Sequence, residues 1–164
     1  MTDADALTLS HVDDEGRARM VDVSAKTATA RTAVARGRVL VGEEAFRLVE
    51  ANKIRKGDVL TVSHVAGILG AKQTSRLIPL CHDVLLEGVD LDLDLNADDF
   101  AIEVRAYVKT TGPTGVEMEA LTAVSIASLT IYDMCKSVSR EIAITDVQLL
   151  AKTGGQSGDY RRSN

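Results

Sequence analysis

Four groups of residues in this chain have the types and spacing that chemistry requires. Glu117-Met118-Glu119 pairs two carboxylates, which can split into acid and base by raising one another's pKa. In a helix, residues two apart point about 200° apart, so the pair cooperates only if its segment is extended; otherwise the two acids simply complement a helix N-terminus. Asp133 and Lys136 lie three apart on one helical face, either an ordinary ion pair or an acid/base pair tuned by the ammonium. Cys81-His82 follows Pro79-Leu80 and offers a proton-shuttling imidazole, or a buried thiol beside a hydrogen-bonded ring. Lys152-Thr153-Gly154-Gly155-Gln156-Ser157-Gly158 has the backbone freedom to wrap a phosphate, though it is no Walker A loop. Arg31, Lys56, Lys72 and Arg76 can add positive charge.

Two other patterns carry less. The row Asp90, Asp92, Asp94 lacks the Gly and Glu of a calcium loop: Leu95 and Ala101 stand at those positions. Two cysteines and three histidines show no paired ligand spacing, so no protein-held metal is expected.

These groups need elements to position them. Residues 18–24 and 27–41, rich in Val, Ala and Thr, read as strands broken at Gly37. A short helix follows from Glu43 to about Asn52. Lys56-Gly57-Asp58 is a turn and Asp58 a candidate N-cap. The next helix carries Val62, Val65, Ala66 and Leu69 as its apolar face and ends before Pro79. Val89–Leu95 alternates strictly, as does the run from Ile102 to Lys109. The two predict an antiparallel hairpin, with Arg105 and Lys109 offsetting the Asp row. After Gly112-Pro113-Thr114-Gly115 a helix runs from Val116 to Val138, uncharged between Glu119 and Asp133. A neutral helix of this kind is buried on more than one side, which predicts an oligomer interface along it. Glu119 and Asp133, roughly 21 Å apart if both are helical, cannot meet around one small ligand within one subunit. A last strand spans Ile142 to about Leu150.

The chain has 164 residues and a net charge of −5. It is expected to form one catalytic domain, with residues 1–10 and 153–164 as tails. Five aromatic rings and the acid excess argue against nucleic-acid binding and against a membrane surface. Two cysteines make no disulfide framework, and no signal peptide or spanning segment is read, so a cytoplasmic protein is expected.

Taken together, the chain resembles the MoaC family of molybdenum cofactor biosynthesis. The resemblance rests on Met20-Val21-Asp22-Val23-Ser24, Lys56-Gly57-Asp58, Leu77-Ile78-Pro79-Leu80-Cys81-His82, the run from Thr111 to Ala123, Tyr132-Asp133-Met134-Cys135-Lys136 and the Lys152–Gly158 loop. Two positions depart from the family pattern: Asp83 stands where Pro is common, and Asp159 where His is common. The resemblance implies a ferredoxin-like α+β subunit in a hexamer, a trimer of dimers with sites between subunits. It implies a phosphorus–oxygen lyase that rearranges a cyclic dihydroguanosine triphosphate into cyclic pyranopterin monophosphate and releases pyrophosphate. Carried over by motif, Asp133, Lys136 and His82 are expected to be catalytic. Leu80, Cys81, His82, Glu117, Met118, Glu119, Lys56, Lys72, Lys152 and Arg31 are expected to bind substrate. The triphosphate can bring Mg²⁺ with it; no other cofactor is expected. A non-catalytic ferredoxin-like sensor of nucleotides or pterins is the competing class, and it would need the basic pocket but not the acid/base set.

Overall fold

The computed structural model describes residues 15–163. Its elements in chain order are β1 (Thr29–Leu40), α1 (Glu43–Glu50), α2 (Val59–Lys72), α3 (Thr74–Leu77), β2 (Gly88–Asn96), β3 (Ala101–Gly112), α4 (Glu117–Cys135), β4 (Ala143–Thr153) and β5 (Tyr160–Arg161). The alternation of β2 and β3 sets their register. Val89, Leu91, Leu93 and Leu95 pair with Val108, Ala106, Val104 and Ile102. On the other face Asp92 stands opposite Arg105, whereas Asp94 meets Glu103, whose carboxylate accepts a 2.7 Å hydrogen bond from Arg38. The strands form one antiparallel sheet in the order β2-β3-β1-β4-β5. It is an α+β fold with α2 and α4 layered on one face.

Several expectations change on this scaffold. Residues 18–24 form no strand. The Asp22 carboxylate accepts the Ser24 N–H at 2.9 Å and Val23 C=O accepts the Lys26 N–H, a turn that delays β1 until Thr29. Gly37 does not break β1. It stays paired with Val104 of β3, while the register with β4 shifts between Arg36 and Arg38. A Cβ there would sit 2.6 Å from Val124 Cγ1, so the glycine admits α4 to the sheet. Asp58 caps α2 as expected, accepting the Thr61 N–H at 3.0 Å.

The largest change concerns the helices. Val62, Val65 and Leu69 were expected to face inward, yet they are about half exposed. The buried side of α2 is instead Ser63, Gly67, Gly70 and Ala71, which lies against α4. Small residues win that side because they let two helices approach closely. Ala120, Ala123, Ala127, Ser128 and Ile131 of α4 are wholly buried between α2 and the sheet. The chain's own elements therefore cover most of the uncharged helix. Apolar side chains are exposed on α2, at Val62, Val65 and Leu69, and Leu129 of α4 is exposed as well.

Gly70 reports on this contact. An added Cβ would stand 2.7 Å from Ile126 Cγ1 and 2.8 Å from its Cβ, next to a backbone that cannot move freely. Gly70→Ala should therefore destabilise by about 1–2 kcal/mol, overpacking outweighing the helix propensity gained. A lowered urea midpoint at unchanged m checks it.

Candidate active site

The open end of the sheet, where β1 begins and β3 passes into α4, carries a cleft of ≈ 640 Å³. Arg31 is placed there by β1. Its Nε donates to Gly112 C=O at 2.8 Å and its Nη2 to Pro113 C=O at 3.1 Å, which fixes both the loop and the guanidinium. From the opposite wall Lys152, on β4, donates to Ser157 Oγ at 2.6 Å and lies 3.4 Å from Glu117 Oε1. Between them Gly154 and Gly155 both take positive φ, so the chain reverses and packs against Ala30 and the Arg31 guanidinium. The stretch read as a tail thus turns back, and Tyr160 and Arg161 pair with Lys152 and Ala151. Asp159, at one of the positions that depart from the family pattern, accepts the Gly154 N–H at 3.0 Å and closes the loop. Lys26, Gln156 and Ser157 complete the polar lining.

A smaller recess of ≈ 180 Å³ shares Thr114, Gly115 and Glu117 with this cleft. Leu80, Cys81, His82, Met118 and Glu119 line it. The carboxylate pair is helical, in the first turn of α4, and still faces one space: Glu117 lines both cavities and Glu119 the inner one. The expectation that only an extended entry could bring them together is corrected. The side chains are long enough for the Glu117 charge to act on Glu119 despite the offset of about 200°. Glu119 is 4% exposed, and burial first, then the field of Glu117, pushes its carboxyl up to about 7. Burial and the Glu119 charge also raise the Cys81 thiol. His82 Nε2 lies 2.7 Å from Val21 C=O. A carbonyl only accepts, so Nε2 carries the proton and Nδ1 of the neutral ring remains an acceptor.

The second group lies at the far end of α4. Lys56 Nζ donates to Asp133 Oδ2 at 2.6 Å and to Asp133 C=O at 2.7 Å, while Lys136 Nζ is 2.5 Å from Oδ1. The hydrogen bonds from Lys136 and then Lys56 hold the Asp133 carboxyl down at about 2. Lys56, expected to bind substrate, is grouped by the fold with Asp133 and Lys136. Fourteen residues of helix separate Asp133 from Glu119, roughly 21 Å, so the two groups do not meet within one chain. Lys72 is exposed in the last turn of α2 and lines neither cavity.

Sequence reasoning passed over Lys26 and Val21 as site residues. Val21 lies in the run 18–24 expected as a strand and Lys26 in the gap after it, and the signal for both is the stretch Met20–Lys26 itself. Among the described residues no three His, Cys, Asp or Glu side chains converge as metal ligands. No helix there is long and apolar enough to cross a membrane.

The family model described as "MoaC family" matches residues 20–155. A cyclic pyranopterin monophosphate synthase of Salinibacter ruber is 63% identical over 158 residues, 96% of this chain and 93% of that protein. One of Heliobacterium modesticaldum is 57% identical, covering 94% of this chain and 97% of the relative. The Arabidopsis thaliana protein named cyclic pyranopterin monophosphate synthase, mitochondrial, is 55% identical over 97% of this chain and 59% of its own length. On the matching family model and these near-full-length identities, the chain belongs to the MoaC family.

Proposed function

We propose that this chain acts in molybdenum cofactor biosynthesis, converting (8S)-3′,8-cyclo-7,8-dihydroguanosine 5′-triphosphate to cyclic pyranopterin monophosphate with release of pyrophosphate. The observation that carries the reading is the 63% identity to a synthase along 96% of the chain. The non-catalytic sensor is not favoured, because the relatives are named as enzymes and the acid/base groups are present beside the basic cleft.

The chemistry follows from the two half-sites. Arg31, Lys26, Lys152 and the Gly154–Ser157 turn hold the triphosphate and stabilise the departing pyrophosphate. The purine lies toward Leu80, Cys81, Met118 and His82. Opening and reclosing its ring takes several proton transfers, so carriers of different basicity are useful. Glu119 titrates near neutrality and is the carrier on this side; the His82 Nδ1 accepts a ligand proton. Asp133 stays ionised at pH 7 and is a weak base. It is a positioning residue that fixes the Lys56 and Lys136 ammonium groups, with Lys136 the acid and Lys56 the partner for developing negative charge. Lys72, which lines neither cavity of this chain, takes no part in this scheme.

The separation of the half-sites supports an oligomer in which Lys56, Asp133 and Lys136 of one subunit meet the cleft of another. We read it as a hexamer of single-domain, ferredoxin-like subunits. The β-α-β-β-α-β order and the exposed Val62, Val65 and Leu69 support that assembly. The two unpaired cysteines support a cytoplasmic setting. Purified chain incubated with the cyclic triphosphate should release one pyrophosphate per cyclic pyranopterin monophosphate, read by mass spectrometry. Binding without turnover would select the sensor.

A further inference from the structure

The face of the sheet turned away from α2 and α4 carries a second basic cavity that the proposed reaction does not use. Cross-strand register maps that face in rows. Arg161, Ala151, Val34, Tyr107 and Asp90 form one row; Gln148, Arg36, Arg105 and Asp92 form the next. A cavity of ≈ 380 Å³ opens over the first row and Arg105 of the second, lined by Arg105, Arg161 and Arg162 with Tyr107 and Leu150; Arg36 stands beside it and does not line it. Arg36 and Arg105 stand directly opposite one another, an arrangement that costs stability unless an anion lies between or beside them. Arg36 Nε is buried without a hydrogen-bond partner. A side-chain hydrogen bond with Tyr107 acts on Arg105 first, then the fields of Asp92 and Asp94 from the β2 side, and Glu103 is taken by Arg38. Among the described residues, none supplies a carboxylate to Arg161 or Arg162.

We infer that this cavity is a second anion site, built for a di- or polyphosphate and separate from the cleft at Arg31 and Lys152. Three arginines line one cavity, and their guanidinium forks match the many oxygens of a pyrophosphoryl group better than one carboxylate. The hairpin formed by β4 and β5 presents cations to both faces of the sheet. Lys152 pairs with Ala33 on the side of the cleft, and Arg161 lies beyond Ala151 and Val34 on the other. Arg161 and Arg162 fall outside the segment 20–155 matched by the family model, whereas Val34, Arg105, Tyr107, Leu150 and Ala151 of the same cavity lie within it.

The test is calorimetric titration of the full chain with inorganic pyrophosphate, repeated with inorganic phosphate and with a nucleoside triphosphate. Two classes of site are expected with pyrophosphate. Arg161→Gln/Arg162→Gln should weaken one of them roughly 10–100-fold, while Lys152→Ala weakens only the other. Free pyrophosphate as the ligand predicts tighter binding than the nucleotide; a nucleotide arm predicts the reverse. Circular dichroism confirms that the double variant folds. A single class of site in the wild-type chain would overturn the inference. So would a double variant that binds pyrophosphate unchanged but sediments differently, which would assign the arginines to a contact between copies of the chain.

Discussion

Glu119→Gln should lower kcat by about 10²–10⁴-fold while leaving the fold intact. Its carboxyl is nearly enclosed, and the loss of water around the charged form, with the Glu117 charge close by, raises it from the ordinary 4.5 to about 7. A group that titrates near the working pH can hold and release a proton in one cycle. Glutamine keeps the size and one hydrogen-bonding edge but cannot transfer the proton. With Glu119 as donor, wild-type kcat/KM falls as pH rises through about 7, and the variant lacks that limb. Stability follows the same group. The folded carboxyl is raised above its unfolded value, so the folded chain holds the proton longer. The associated stability is fully present below about 4.5 and is lost as pH rises through about 7. The shift corresponds to about 3 kcal/mol at most. Denaturation at pH 5 and pH 8 should show this loss in the wild-type chain and not in Glu119→Gln. A variant with full turnover and an unchanged pH profile would remove Glu119 from proton transfer.

How far the sequence reveals such a site depends on what sets each residue's place. The β2–β3 hairpin was legible because strict alternation has one interpretation on a sheet with one buried face: Leu91 opposite Ala106 follows from the pattern. The N-cap at Asp58 and the extent of α4 were legible for similar local reasons. The face of α2 was not. Hydrophobic periodicity selected Val62, Val65 and Leu69, but Gly67 and Gly70 decide which side can approach Ala123 and Ile126. Close packing between helices is a property of pairs, and one helix's sequence does not contain its partner. The same holds for the site. Residue types marked Glu119, Asp133 and Lys152, yet the burial that raises Glu119 and the ammonium pair that lowers Asp133 come from distant segments. Lys56 is 77 positions from Asp133, and only the fold joins them.

That separation sets the second large effect. Asp133→Asn alone should abolish most activity, about 10²-fold or more, because Lys56 and Lys136 lose the carboxylate that holds both ammonium groups. Lys152→Ala should also be severely impaired, for loss of the phosphate anchor at the other half-site. If each working site draws its halves from two chains, the two defects compensate when mixed. Equal amounts of Asp133→Asn and Lys152→Ala chains, denatured and refolded together, assemble at random. About one site in four then joins an intact Lys152 cleft to an intact Asp133 cluster, so the mixture should recover about a quarter of wild-type turnover. The same variants mixed without subunit exchange should stay inactive, which separates shared sites from residual activity. Were both half-sites served by one chain, every chain in the mixture would carry a defective site, and no exchange could restore it. The roughly 21 Å of helix between Glu119 and Asp133 argues against that outcome, since α4 is continuous from Glu117 to Cys135 and cannot fold its two ends onto one small ligand.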